Sequence, residues 1–215
     1  MPCRFWYNVA AMNLPNKLTI ARCVLAAVYV VLMSVGHLIA YVVAYVIFIV
    51  ACVTDYYDGK IARAQNLVTN FGKLVDPVAD KVLICSAFIM LMEFDVLRIP
   101  GWALILILAR DFMVTGARSL AAASGHVLAA NIWGKRKTVY QMIYVFTFMF
   151  LAMLLHAVDA YPAFAAAVPL DWALAKLWVG RVSLAAMSFV SLYTMYSGVQ
   201  FLRVNKTALG IDNLT

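Results

Sequence analysis

The chain has 215 residues, of which 66% are apolar and only 13% are charged. Soluble domains are nearer ~45–50% apolar and ~25% charged, and a soluble globule of this length has too little interior to hide so much apolar surface. The same composition excludes a disordered chain. We therefore predict an all-α integral membrane protein that forms a single membrane domain with its apolar side chains towards lipid.

The predicted elements begin with an interfacial segment over 1–16, followed by six transmembrane helices. A membrane-spanning helix needs about 20 residues, and the run from Cys23 to Thr54 contains no Lys, Arg, Asp or Glu. Within that run, the residues Ser34-Val35-Gly36-His37 predict a tight turn between two spans. The six helices are predicted at about 17–35, 38–65, 75–94, 100–123, 138–157 and 174–203, with the usual error of a few residues at each end.

Basic residues predict the orientation of these spans. They gather at the N-terminus, in the 60–81 and 118–138 regions and in the tail, which places those segments and both termini in the cytoplasm by the positive-inside rule. The net charge of +7 is then a property of cytoplasmic loops that meet anionic lipid head groups. No nucleic-acid partner is needed to explain it.

Two pairs of aspartates mark the candidate site. Asp55 and Asp58 lie at positions i and i+3 of the second predicted helix, and Asp76 and Asp80 lie at i and i+4 of the third. Each spacing puts both carboxylates on one helical face, and a short loop between antiparallel helices brings the two pairs together at the cytoplasmic end. Four converging carboxylates require positive charge between them. Their hard oxygen ligands favour Mg²⁺, Mn²⁺ or Ca²⁺, and two such ions would suit a diphosphate.

The residues around the aspartates leave one structural alternative. Gly59, Ala62 and Gly72 remove side-chain bulk where a ligand or a neighbouring backbone must come close. The aspartates could instead form salt bridges with the four basic residues nearby, which are Lys60, Arg63, Lys73 and Lys81. The complete pattern of four Asp, two Gly, Ala and Arg favours the metal site over salt bridges.

The stretch from Asp55 to Asp80 reads D-x-x-D-G-x-x-A-R-x₈-G-x-x-x-D-x-x-x-D. It resembles the signature of the CDP-alcohol phosphotransferases at every defined position. The resemblance implies a six-helix membrane enzyme, acting as a homodimer, that moves a phosphatidyl-type group from a CDP-linked donor to an alcohol and releases CMP. It also implies two divalent cations, Mg²⁺ or Mn²⁺.

The resemblance further implies roles for individual residues. The implied metal ligands are Asp55, Asp58, Asp76 and Asp80, of which Asp80 is also the implied base for the acceptor hydroxyl. The implied contacts of the CMP and diphosphate are Asn16, Thr19, Arg22, Gly59, Ala62, Arg63 and Gly72.

A second group of residues is basic and suggests the acceptor. Arg110 lies near mid-membrane in the fourth predicted helix, where an arginine is costly unless it faces the interior of the helix bundle or a water-filled cavity. With Arg118 and the run Lys135-Arg136-Lys137 it predicts a basic pocket beside the metal site, suited to an acceptor that carries phosphate. Two alternatives remain, because Arg110 could simply pair with Asp111 and the basic run could reflect topology alone. The candidate acceptor-phosphate residues are Arg110, Arg118, Lys135 and Lys137.

Residues 13–145 are similar to the bacterial members of this family that use glycerol 3-phosphate. This implies CDP-diacylglycerol as donor, sn-glycerol 3-phosphate as acceptor and the bacterial inner membrane as location. One departure is Asp111, where those members would have Glu. Other enzymes of the family, of the cardiolipin synthase or phosphatidylinositol phosphate synthase type, remain alternatives. A cation transporter and a structural membrane scaffold are the alternatives from other classes.

Overall fold

The computed structural model of the chain describes residues 14–65, 70–123, 128, 132–168 and 170–206. At 14–19, 55–65, 70–80, 123, 164 and 167 it describes the backbone alone.

The described residues form α-helices and short non-helical segments and contain no β-strand, as predicted. In chain order the helices are α1 (Leu14–Ser34), α2 (Leu38–Gln65), α3 (Asn70–Met92), α4 (Gly101–Ala123), α5 (Ile132–Ala160), the short α6 (Pro162–Ala167) and α7 (Trp172–Val204). A 3₁₀ turn at Asp95–Leu97 lies between α3 and α4.

Two helices begin earlier than the sequence predicts. The predicted starts at 75 and 138 are wrong, because α3 begins at Asn70 and α5 begins at Ile132. Lys135 therefore lies inside α5 and not before it. The physical reason is that lysine and arginine are good helix formers, so the backbone continues as a helix into segments that are too polar for hydrocarbon. The predicted loop after the fifth span also contains the short helix α6.

The described chain divides into two compact units, of which the first ends at Met90. In this unit α1 and α2 form an antiparallel hairpin around a turn at Gly36. Gly36 has a φ of +74°, a left-handed conformation that residues with a side chain rarely adopt. The predicted turn between the first two spans thus has a backbone that calls for glycine.

The α1–α2 interface consists of side chains spaced at three to four residues along each helix. Tyr29 and Met33 of α1 and Phe48 of α2 are buried, and the rings of Tyr29 and Phe48 are 5.6 Å apart. This spacing puts one apolar stripe of each helix at the interface. The other faces expose Val31 and Val46, which suits helices surrounded by lipid.

The second unit begins at Leu91 and is organised around α7. The 3₁₀ turn, α4 and α5 all pack against this helix. Close approach depends on small residues of α7: a Cβ at Gly180 would lie 2.6 Å from the carbonyl oxygen of Val96. Asp171 caps the start of α7, since its carboxylate accepts hydrogen bonds from the backbone N–H groups of Ala173 and Leu174.

Two helices of the described chain are long and apolar enough to cross a membrane, α5 and α7. Shorter apolar stretches lie at Ile20–Ser34, Leu38–Thr54 and Lys81–Met92. These apolar helices support the prediction that the chain is a membrane protein. The arrangement of six spans in a single domain remains a prediction, and the predicted interfacial segment lies, up to residue 13, outside the described residues.

Candidate functional site

The four motif aspartates lie in two helices. The helical backbone of α2 places Asp55 and Asp58 one turn apart, and that of α3 does the same for Asp76 and Asp80. Their side chains lie outside the described residues, so their convergence remains a prediction. The donor set consists of carboxylates alone, which fits hard divalent cations such as Mg²⁺ and Mn²⁺. Among the side chains that the structure does describe, no three His, Cys, Asp or Glu residues cluster.

Most of the predicted nucleotide contacts also have a described backbone but no described side-chain surroundings. The backbone is helical at Asn16 and Thr19 of α1, and also at the predicted contacts Gly59, Ala62, Arg63 and Gly72, but the side-chain surroundings of all six lie outside the described residues. Arg22 is described and is buried in the first unit, with 7% of its surface exposed. The role of these residues in binding CMP remains a prediction.

Two of the basic candidates, Arg110 and Lys137, form a buried ion-pair network with Asp111 in the second unit. Arg110 and Asp111 are consecutive residues of α4, and both are 5% exposed. Arg110 Nη1 donates to Asp111 Oδ1 at 3.1 Å. Lys137 of α5 is also buried, and its Nζ donates to the two carboxylate oxygens of Asp111 at 2.5 and 2.6 Å. The Arg110–Asp111 pair that the sequence left as an alternative is therefore present, and Lys137 belongs to it.

Side chains from α5 and α7 complete the network. Lys137 Nζ donates to Gln141 Oε1 at 3.3 Å, one turn further along α5. Arg110 Nη2 donates to Ser197 Oγ of α7 at 2.9 Å. Gly198 leaves room for the arginine, because a Cβ there would lie only 2.8 Å from Arg110 Cγ, whereas a Cβ at Gly134 would make an ordinary contact with Arg110 Nη2 at 3.8 Å.

The network contains buried hydrogen-bond donors that none of its own members accepts from. One arginine, one lysine and one aspartate sum to a charge of +1. Arg110 Nε and Gln141 Nε2 are buried donors without a hydrogen-bond partner among the described residues. Buried donors are normally satisfied, and guanidinium and ammonium groups are the usual ligands of phosphate. The chemistry of this cluster therefore suits a phosphate-bearing ligand.

The other two acceptor candidates lie on the surface of their unit. Arg118 is exposed, and its guanidinium carbon stands 5.2 Å from the ring centre of Phe201. Lys135 is exposed on the first turn of α5. The structure brings Arg110 and Lys137 together in one network, and no bond that it describes links Arg118 or Lys135 to that network.

Sequence reasoning missed the contribution of α7. Ser197 and Gly198 shape the surroundings of Arg110, yet neither resembles a binding residue in isolation. A signal was available, because the buried polar residues of α7 recur at helical spacing within an apolar segment, at Ser183, Ser191, Thr194 and Ser197. Such residues inside a span usually face other helices and not lipid.

Comparison with known proteins gives the family. The model of the CDP-alcohol phosphatidyltransferase family matches residues 12–175. The CDP-diacylglycerol–glycerol-3-phosphate 3-phosphatidyltransferase of Bacillus subtilis is 38% identical over 213 residues, which cover 94% of this chain and 99% of that protein. The protein of the same name from Rickettsia typhi is 43% identical over 60% of this chain and 72% of its own length.

A third relative comes from Mycobacterium tuberculosis and is described as a probable phosphatidylglycerophosphate synthase. It is 42% identical over 140 residues, which cover 64% of this chain and 66% of that protein. The family membership that the motif at residues 55–80 predicts is thus confirmed over most of the sequence. The chain belongs to the CDP-alcohol phosphatidyltransferase family.

Proposed function

We propose that the protein transfers the phosphatidyl group of CDP-diacylglycerol to sn-glycerol 3-phosphate, giving phosphatidylglycerophosphate and CMP. The observation that carries this proposal is the similarity to the Bacillus subtilis enzyme, which extends over 94% of this chain and over nearly all of its relative. The relatives from Rickettsia typhi and Mycobacterium tuberculosis, whose names imply the same activity, support it.

The buried network supports an acceptor that carries phosphate. Arg110 and Lys137 supply two buried cationic groups, and Arg110 Nε and Gln141 Nε2 supply donors that no described residue uses. We assign the phosphate of glycerol 3-phosphate to these groups, with Arg118 and Lys135 as further candidates. Holding this phosphate would fix the position of the reacting hydroxyl at the other end of a three-carbon molecule.

The reaction is a displacement at the phosphorus that carries diacylglycerol. Asp80 accepts the proton of the acceptor hydroxyl as general base. The hydroxyl oxygen forms a new bond to that phosphorus, the bond from the phosphorus to the bridging oxygen of the diphosphate breaks, and CMP leaves with the bonding electrons. The CMP contacts would come from Asn16, Thr19, Arg22, Gly59, Ala62, Arg63 and Gly72.

Divalent metal ions are used in this family. Asp55, Asp58, Asp76 and Asp80 would hold two of them, Mg²⁺ or Mn²⁺, since carboxylate oxygens suit these hard cations. When bound, they neutralise negative charge on the diphosphate and stabilise the leaving group.

The setting of the reaction is the cytoplasmic membrane of a bacterium. Apolar helices support a membrane protein, and the distribution of basic residues supports six spans with both termini and the site at the cytoplasmic side. The acyl chains of the donor then stay in the bilayer. A homodimer is part of the same proposal.

The test is an assay of CMP release with purified protein in detergent micelles. We expect CMP from CDP-diacylglycerol, Mg²⁺ and glycerol 3-phosphate, and none when phosphatidylglycerol or inositol phosphate replaces the acceptor, because neither matches a site for a small glycerol phosphate. Removal of metal with a chelator should stop the reaction, and Mg²⁺ or Mn²⁺ should restore it.

Two variants test whether the reaction needs Asp80, as a base that is also a metal ligand requires. Asp80→Asn should lower kcat at least about a hundredfold, the lower range for general base catalysis. Asp159→Asn is the matched control, since Asp159 pairs with Lys176 at an exposed position and should keep full activity. Equal rates for Asp80→Asn and the control would refute the base assignment, and CMP release with phosphatidylglycerol alone would identify a cardiolipin synthase instead.

A further inference from the structure

Asp111 is an unexpected residue for a site that binds phosphate. Its carboxylate is buried in the middle of the proposed acceptor site, within hydrogen-bond distance of both cations. A phosphate dianion at Arg110 and Lys137 would therefore be attracted by two charges and repelled by a third. A surface salt bridge could move aside, but Asp111 is 5% exposed and sits on the same helix as its arginine partner.

The two cations need a counter-charge to be buried at all. Bringing an ammonium or guanidinium group into a low-dielectric region without a partner is costly. Asp111 meets this need for both groups, because one of its oxygens accepts from Arg110 and Lys137 together and the other accepts from Lys137. Before the acceptor binds, the carboxylate thus holds Arg110 and Lys137 in place and offsets part of the cost of their burial.

The same contacts weaken the binding of phosphate. Lys137 Nζ directs its hydrogen bonds at the Asp111 carboxylate and at Gln141 Oε1, so an incoming phosphate must share them. Coulomb repulsion between the carboxylate and a phosphate a few Å away is only partly screened in such surroundings. One residue therefore makes the site stable and lowers its affinity.

We propose that Asp111 is a positioning residue that acts as an internal counter-ion. It holds Arg110 and Lys137 in their binding positions, and its negative charge lowers the affinity of the site for the acceptor's phosphate. This inference rests on the proposed function, because it assumes that phosphate binds at these two cations. It assigns Asp111 no contact with the reacting atoms.

The first experiment compares the wild-type protein with Asp111→Asn by calorimetric titration, using inorganic phosphate and glycerol 3-phosphate as separate ligands. Removal of the carboxylate should lower both dissociation constants at least about tenfold, because a repelling charge is lost while both cations remain. The variant should also melt at a lower temperature in phosphate-free buffer. Phosphate at one fixed, saturating concentration should raise its melting temperature more than that of the wild type, because the stabilisation grows with the logarithm of the ligand concentration divided by its dissociation constant.

Asp159→Asn is the matched control, because it removes the same charge from another Asp–Lys pair that lies at an exposed position. It should change neither dissociation constant. A residue that only supports the fold would lower the melting temperature of Asp111→Asn without tightening phosphate binding, and that result would overturn the proposal.

A second comparison, made in protein that carries Lys137→Gln, tests the proposal if Asp111→Asn alone does not fold. In Lys137→Gln the remaining pair, Arg110 and Asp111, has no net charge, and phosphate should bind at least about tenfold more weakly than to the wild type. Adding Asp111→Asn to Lys137→Gln restores a charge of +1 with only one buried cation, and should recover most of the lost affinity. Equal phosphate affinity for the single and double variants would contradict the counter-ion role.

The two proposals fail in different ways. If the wild type binds phosphate and releases CMP with glycerol 3-phosphate, but loss of the Asp111 carboxylate never tightens binding, the function stands and the counter-ion role is wrong. If the wild type releases no CMP with this acceptor, the proposed function is wrong, and the phosphate titrations then decide separately whether Asp111 opposes anion binding.

Discussion

At the scale of single residues, Arg110 is placed by its ion pair with Asp111 and by the space that Gly198 leaves for its side chain. The position of Arg110 within an apolar helix predicts an internal side chain with Asp111 as a possible partner, and the structure has Arg110 buried and hydrogen-bonded to Asp111. The spacing of polar residues in α7 marks Ser197 as facing another helix, but it does not identify Arg110 as the partner, because the two residues are 87 positions apart and only the packing of α7 on α4 brings their side chains together.

Gly198 offers a direct test of this position. In Gly198→Ala the new Cβ would lie 2.8 Å from Arg110 Cγ, so the arginine must move and its hydrogen bond to Ser197 weakens. We expect the KM for glycerol 3-phosphate to rise about tenfold, the effect of losing about 1.4 kcal/mol of binding, while the KM for CDP-diacylglycerol stays within about twofold. Steady-state kinetics with each substrate varied in turn measure both values.

Gly116→Ala is the control for this substitution. Gly116 also lies in a helix, α4, but a Cβ there would meet nothing within 4 Å. Its kinetic constants should match those of the wild type. A KM for glycerol 3-phosphate that is unchanged in Gly198→Ala would mean that Arg110 does not contact the acceptor.

At the scale of elements, runs of apolar residues predict where the helices lie, but they misplace the charged N-terminal ends of α3 and α5. A run without charged residues, broken at Gly36, was enough to place α1 and α2. The start of α5 was predicted at 138 because Lys135 and its basic neighbours resemble a loop, whereas the helix begins at Ile132. Hydropathy reports where hydrocarbon ends, and a helix can continue beyond that point while its basic side chains reach water.

The turn between α1 and α2 tests whether glycine is needed there for its backbone alone. A Cβ at Gly36 would meet nothing within 4 Å, but the φ of +74° disfavours any side chain. Gly36→Ala should lower the free energy of unfolding by about 1 kcal/mol, whereas Gly116→Ala should raise it by about 0.5–1 kcal/mol, because alanine is the better residue inside a helix. Denaturant titrations in mixed micelles, followed by circular dichroism, would measure both.

The opposite signs of the two changes are the informative result, since both add one methyl group in open space. Destabilisation by both substitutions would indicate that crowding in the micelle-bound protein, and not backbone conformation, controls the effect at Gly36.

At the scale of the whole molecule, the asymmetry of basic residues predicts how the chain crosses the membrane. The described apolar helices support a membrane protein, but orientation is a matter of charge and not of packing. We expect the end of α7, near Lys206, in the cytoplasm and the short helix α6 on the opposite side.

Single cysteines test this topology. In a variant that lacks the native cysteines, Ala166→Cys in α6 and Lys206→Cys after α7 introduce thiols at exposed positions. A membrane-impermeant maleimide should label Ala166→Cys and not Lys206→Cys in right-side-out vesicles, with the reverse pattern in inverted ones. Labelling of both positions from the same side would contradict the predicted orientation.

The sequence by itself determined the helical class, the family and the identity of the four motif aspartates, because each depends on composition or on spacing within one or two helices. Tertiary structure alone decided how the basic residues are used. It joined Lys137 to Asp111 across 26 positions and Arg110 to Ser197 across 87, while Arg118 and Lys135 lie exposed. The physical reason is that a buried charge is defined by the partners that surround it, and those partners meet only when α4, α5 and α7 pack together.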